Sequence, residues 1–216
     1  PLARRNVAEA PAQSIAAAAA VLASAKKPLI MGGYGAYKAG ARDALIALAE
    51  KTGALLATSA KGKDLFKGHP YNLGIIGSFS HSLARRMASE ADCVLSFGAG
   101  LNILTMSFGH SLPAVPLVLV DTVRANIGRW TPADVAVVGD ARLVAEQLVA
   151  AVADRGAADK PFHAADNRAV LDAFDIAEDF QPANTARTVD PRSLAVALNR
   201  LLPAERNMTY DCLLYT

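Results

Sequence analysis

The stretch KKPLIMGGYGAYKAGARDALIALAEKTG (Lys26–Gly53) decides how the rest of the chain is read. Pro28 to Gly32 form a short apolar run, and Gly32, Gly33 and Gly35 follow it. Ala41, Leu45, Leu48, Ala49 and Thr52 then recur on one face of a helix, with Gly53 where a C-terminal cap belongs. A strand that empties through glycines into a helix is the opening βα unit of a nucleotide-binding sheet. Glycines let backbone approach a pyrophosphate, and the helix end favours its charge. The same glycines also suffice for a sharp strand-to-helix turn. GGYGAYKAG does not reproduce the dinucleotide fingerprint, because Lys38 stands where the third glycine would fall. Both readings stay open on the sequence.

Further apolar runs lie at Ala54–Thr58, Cys93–Gly98, Pro116–Asp121 and Val135–Asp140. They are continuously apolar rather than alternating, as in parallel strands covered on both faces. Helical patterns separate several of them. Leu83, Ala84, Met87 and Ala91 share a face, with Ser80 or Ser82 as the expected N-cap. Leu143, Val144, Leu148 and Val152 share another behind Asp140. The expected fold is α/β: a doubly wound, mainly parallel, Rossmann-like three-layer sheet with a C-terminal extension.

Composition narrows the function classes. Of 216 residues, 52% are hydrophobic and 19% charged, with a formal net charge of +2, an ordinary globular balance. No basic block points to nucleic acid. Ser14–Ala25 is apolar but too short to span a membrane, and it lacks the layout of a signal peptide. Two cysteines, Cys93 and Cys212, make no disulfide framework or metal site, so a cytoplasmic setting is expected. His69, His81, His110 and His163 have no ligand spacing and read as surface or cap residues.

The strand–helix alternation stops near Asp154. Residues 155–188 read as a connection, and a new unit opens at 189. There Asp190 caps a helix, Pro191 suits its first turn, and Leu194, Leu198, Leu201 and Leu202 form its apolar stripe. Pro203 ends that helix, and 206–211 would suit one more strand. A unit that opens so near the last residue suggests a piece of a longer protein.

Taken in order, KKPLIMGGYGAYKAGARDALIALAEKTG, TSAKGKDLFKGHPYNLGIIGSFS, EADCVLSFGAGLN, LVLVDT and VVGDARLVAEQL resemble the central domain of thiamine diphosphate-dependent enzymes. That group includes acetolactate synthase, oxalyl-CoA decarboxylase, benzaldehyde lyase and pyruvate decarboxylase. The resemblance covers residues 1–154, and 189–216 is similar to the start of the family's third domain. It implies a lyase or synthase acting on 2-oxo or 2-hydroxyacyl substrates, using thiamine diphosphate and magnesium. Catalytic and metal-binding groups would then lie outside this chain, the glutamate in the first domain and the Gly-Asp-Gly motif in the third. Partners would be those other domains and further copies in a dimer or tetramer.

In some relatives the central domain holds FAD or ADP, and in others it holds neither. The resemblance puts the candidate contacts at Gly32, Gly33, Gly35, Lys61, Gly62, Gly98, Ala99, Asp121 and Asp140. Lys61 and Gly62 match the family's Lys-Gly loop ahead of His69–Pro70, where Lys61, Lys63 and Lys67 also read as solvated charges. Asp121 and Asp140 end strands, where a carboxylate accepts from ribose or adenine, although N-capping also accounts for Asp140. Flavin synthases read Gly-Ala-Arg-Phe-Asp where this chain has Gly98, Ala99, Gly100, Leu101 and Asn102. Losing that cation and anion speaks against FAD more than against ADP. A competing reading is a free-standing nucleotide-binding module like the flavin domain of electron-transfer flavoproteins, which the segment from Asp190 onward disfavours.

Overall fold

A computed structural model describes residues 8–206. The possible strand at 206–211 and Cys212 fall largely or wholly outside that range. Six strands form one sheet: β1 (Pro28–Gly32), β2 (Leu55–Thr58), β3 (Asn72–Ile75), β4 (Cys93–Phe97), β5 (Leu117–Asp121) and β6 (Val135–Val138). Their order is β3-β2-β1-β4-β5-β6, and every pairing is parallel. β1 and β4 are in register from Pro28 opposite Cys93 to Gly32 opposite Phe97, which fixes the two central strands together. The expected doubly wound α/β sheet is the observed fold.

One face packs on α1 (Ala12–Ser24), α3 (Arg42–Thr52) and α5 (Ala141–Ala151). The core there joins Ile30, Leu56, Leu95, Val118 and Val137 to Leu22, Leu45, Leu48, Val144 and Leu148. α1 is the alanine-rich segment that was too short for a membrane span. Alanine is the strongest helix former, so a 13-residue amphipathic helix is the natural outcome. α2 (Tyr34–Ala39) is a brief helix between β1 and α3, closed by Gly40 in the left-handed region. α4 (Ser82–Ser89) lies between β3 and β4 in the chain and packs against β3.

Three local features differ from the sequence reading. β3 was not anticipated: it is short, carries Gly74 at φ +71°, and its register against β2 shifts, so no apolar run announces it. The cap of α4 is His81, not Ser80 or Ser82. Its Nδ1 accepts the Ala84 N–H at 3.1 Å, while the Ser80 hydroxyl is committed to the Gly77 turn. His69 is not a surface group, since only 6% of its side chain is exposed, and it pairs with Glu50 at 2.8 Å.

Residues 155–173 carry two short 3-10 turns and α6 (Ala165–Ala173), and Phe162 is 1% exposed. One compact unit extends to Ala173 and a second begins at Phe174. Within the second, α7 (Pro191–Leu201) starts at Asp190, which accepts the Arg192 N–H at 2.9 Å and pairs with the Arg192 guanidinium at 2.7 Å. That guanidinium, with the Ala183 N–H, holds the Asp190 carboxyl well below the usual carboxylate range. Leu194, Leu198, Leu201 and Leu202 are exposed on this helix and its end. No helix among the described residues is long and apolar enough to cross a membrane.

Candidate functional site

From β1 the chain moves to one side of the sheet and from β4 to the other, so the crevice between their carboxyl ends is the expected ligand position. Here the two loops meet backbone to backbone. The Gly33 N–H donates to the Phe97 carbonyl at 2.9 Å, and the Gly35 N–H donates to the Gly98 carbonyl at 3.0 Å. Gly98 sits at φ +59°, and a Cβ there would lie 2.5 Å from Gly35 Cα. A Cβ on Gly35 would lie 2.7 Å from Gly98 Cα, and one on Gly33 would lie 2.5 Å from Ala99 Cα. The loop after β2 joins them: the Ser59 N–H donates to the Gly32 carbonyl at 3.1 Å, and a Cβ on Gly62 would lie 2.6 Å from that same oxygen. Gly32 itself faces Leu65 and Phe66. Gly32, Gly33, Gly35, Gly62, Gly98 and Ala99 therefore converge, and the space a Cβ would take at each of the five glycines is filled by neighbouring protein.

Asp121 and Asp140 face the same place. With Gly35, Gly98, Thr122 and Gly139 they line a crevice of about 30 Å³, room for a water molecule, where small-molecule pockets run to roughly 300–1,000 Å³. Asp121 Oδ1 accepts from the Val123 N–H at 2.8 Å and from Asn126 Nδ2 at 3.1 Å. Asp140, 3% exposed, caps α5: its Oδ1 accepts the Arg142 N–H at 3.0 Å and the Leu143 N–H at 3.4 Å. Lys61 is exposed, like Lys63 and Lys67, and does not line the crevice. Asn102 Oδ1 accepts from the N–H groups of Leu104 and Thr105, closing its own turn.

The sequence did not single out a second feature. The β4–β5 and β5–β6 connections hold only short 3-10 turns, at Ser107–Gly109 and Arg124–Asn126. α1 and α5 cover β5 and β6 on one face, and neither connection supplies a helix for the other face. A groove of about 570 Å³ opens there, lined by Val94, Met106, Leu112, Pro116, Leu117 and Asp134. It lies towards the amino ends of β4 and β5, away from the switch-point crevice. Asp134 Oδ2 accepts the Leu117 N–H at 2.8 Å, so its carboxylate serves the loop. Ile103, Leu104 and Phe108 on the β4–β5 connection are exposed, Phe108 to 70%. The length of that connection, without helical period, was the signal in the sequence. Tyr34 and Tyr37 are exposed and stacked 6.5 Å apart, and Trp130 is exposed. Among the described residues no three His, Cys, Asp or Glu side chains are grouped to hold a metal ion.

Comparison with known proteins agrees with this architecture. The description of the thiamine pyrophosphate enzyme central domain matches residues 15–148, more than half of the chain. Sulfoacetaldehyde acetyltransferase of Roseovarius nubinhibens is 34% identical over 142 residues, which cover 63% of this chain and 24% of that protein. A probable acetolactate synthase large subunit of Methanocaldococcus jannaschii is 31% identical over 137 residues, covering 62% of this chain and 23% of that protein. The acetolactate synthase large subunit of Parasynechococcus marenigrum is 27% identical over 205 residues, 94% of this chain and 32% of its own length. The chain thus spans about a quarter to a third of the relatives it matches.

Proposed function

The chain belongs to the thiamine pyrophosphate enzymes, of which it carries the central domain, and on that footing we propose that it is the scaffold of a larger thiamine diphosphate-dependent lyase or synthase. The whole enzyme makes or breaks a carbon–carbon bond next to a carbonyl of a 2-oxo or 2-hydroxyacyl substrate. The relatives' names, acetolactate synthase and sulfoacetaldehyde acetyltransferase, favour an acetyl unit. Thiamine diphosphate supplies the electron sink for such chemistry, with magnesium on its diphosphate. Residues outside this chain hold both. The exposed loop at Ile103, Leu104 and Phe108 is a packing surface for the neighbouring domains or for a second copy in a dimer or tetramer.

The observation that carries the scaffold reading is how the Gly33 and Gly35 N–H groups are used. A phosphate cradle needs those donors aimed at the ligand, and here they bond the carbonyls of Phe97 and Gly98. ADP or FAD would have to separate that contact and enlarge a 30 Å³ crevice, which favours the scaffold reading over a nucleotide site. The electron-transfer-flavoprotein reading gains no observation of its own.

A domain exchange tests the proposal. Residues 8–173 replace the corresponding central segment of the Roseovarius acetyltransferase, and acetyl transfer is measured with added thiamine diphosphate and magnesium. A scaffold predicts an assembled chimera with activity within about tenfold of the parent. An assembled chimera that binds thiamine diphosphate yet is inactive would contradict it.

A further inference from the structure

The groove beside β4 and β5 lies on the face of the sheet away from α1, α3 and α5. Val94 and Leu117 line it, whereas their strand neighbours Cys93, Leu95 and Val118 join the core on the other face. The Thr131 hydroxyl donates to the Leu101 carbonyl at 2.9 Å, so the two helix-poor connections make one continuous surface around the groove. Phe108 stands on the rim, between Met106 and Gly109, which line it. Ser107 and Phe108 both lie in the left-handed region, at φ +46° and +58°, which side chains other than glycine adopt only at a cost. Hydrogen bonds hold this turn: the Phe108 N–H donates to the Ile103 carbonyl at 2.9 Å, and the Ser111 N–H to the Met106 carbonyl at 3.0 Å. A strained backbone thus carries a phenyl ring out into solvent rather than into the apolar groove beside it. Next to Thr131, another lining residue, Trp130 is exposed with the Arg129 guanidinium 5.5 Å from its ring centre.

We propose that this face pairs with the same face of a second copy of the chain, Phe108 of each copy entering the groove of the other. This pairing rests on the scaffold reading, for which it supplies the partner of the exposed loop. Knob and groove lie side by side, so one twofold axis satisfies both at once. A cavity of about 150 Å³ suffices for a benzene ring, and the groove of about 570 Å³ takes a phenyl ring with room for Ile103 or Leu104 beside it. Charge suits the same axis. Asp134 lines the groove with Oδ2 engaged by the Leu117 N–H, and neither Asp134 nor Arg129 has an ion-pair partner among the described residues. A twofold sets Arg129 of one copy against Asp134 of the other.

Area points the same way. The exposed parts of Phe108 and Trp130 come to roughly 200–300 Å², taking about 150–250 Å² for a whole aromatic side chain. Ile103, Leu104 and the groove walls add to this, towards the roughly 800 Å² per partner of a stable interface. Flanking domains of the same polypeptide join elsewhere. The chain comes in at the carboxyl end of β6, where the Ala8 carbonyl accepts the Asp140 N–H at 2.9 Å. It goes out past α3, where the Arg155 N–H donates to the Lys51 carbonyl at 3.1 Å. Neither junction lines the groove.

Sedimentation velocity of the whole chain tests this between about 1 and 100 μM, which brackets the weak end of interfaces of this size. The wild type is expected to pass from the 22.5 kDa monomer to a species of twice that mass. Phe108→Gly removes the ring and relieves the left-handed strain, so it should fold at least as well and stay monomeric. Arg129→Glu should weaken the pairing about tenfold or more by setting carboxylates face to face. Adding Asp134→Asn, which keeps an acceptor for the Leu117 N–H, should recover part of that loss. A wild type that stays monomeric throughout overturns the pairing and leaves the groove to the flanking domains. A dimer that Phe108→Gly leaves intact overturns it too. The domain exchange reports on the scaffold separately: an active chimera beside a monomeric chain sinks the pairing alone, and an assembled but inactive chimera beside a Phe108-dependent dimer sinks the scaffold reading alone.

Discussion

Gly35 and Gly98 show how the same residue type serves two opposite ends. A glycine that admits phosphate leaves room for it, whereas these two remove the room by admitting each other's backbone. Substitution measures the difference. Gly98→Ala places a Cβ 2.5 Å from Gly35 Cα at φ +59°, adding left-handed strain to a backbone clash, and should cost about 3 kcal/mol or more in urea unfolding. Gly40→Ala has a similar φ of +64° with nothing within 4 Å, and should cost only about 1 kcal/mol. Equal costs would mean that the loops do not close on each other. Cys93 gives a second prediction at this scale. Burial, and then the charge of Asp92, push its thiol up to about 12. In a Cys212→Ser background it should resist thiol reagents at pH 8 except at the rate of unfolding. The folded state binds the thiol proton more tightly than the unfolded chain. Its contribution to stability is therefore intact below about pH 8.5 and drains as pH rises from there.

At the scale of elements, legibility follows whether an element is specified by its own residues or by its neighbours. β1, β4 and β5 were legible as continuous apolar runs, because buried strands leave no polar alternation, and β6 was legible in the same way although three of its four residues are only half-buried. β3 was hidden because its partner β2 supplies the pairing that its Asn-Leu-Gly-Ile sequence does not advertise. The His81 cap was missed because serine is the commoner cap, and only the Gly77 turn reveals that the Ser80 hydroxyl is already used. Asp140 as a cap was legible, since a helix follows it directly. Asp140→Ala should cost about 1 kcal/mol, read as a fall in the urea midpoint, with the Arg142 and Leu143 N–H groups left without their cap. The hold of residues 155–163 on the sheet was not legible, because Phe162 is one apolar residue in a polar stretch. Phe162→Ala should cost about 3–5 kcal/mol, against almost nothing for a residue in a free linker, and calorimetry separates the two.

For the whole molecule, the order β3-β2-β1-β4-β5-β6 places the candidate residues together even though they come from loops far apart in the chain. The sequence offered those positions as nucleotide contacts, but it could not show that Gly33 and Gly35 spend their donors on Phe97 and Gly98. That requires the distance between two loops, which no local pattern encodes. The helix-poor connections after β4 and β5 leave apolar surface that a larger enzyme would cover, in keeping with a chain that spans about a quarter of its first relatives. A switch-point crevice that is closed and serves as scaffold takes up neither ADP nor FAD. Thermal unfolding of the chain with ADP and with FAD, each at millimolar concentration, tests it most directly. The expected midpoint is unchanged by either nucleotide. A rise of about 5–10 °C, as expected of a ligand present at roughly a hundred times its dissociation constant, would contradict it and return these glycines to phosphate binding.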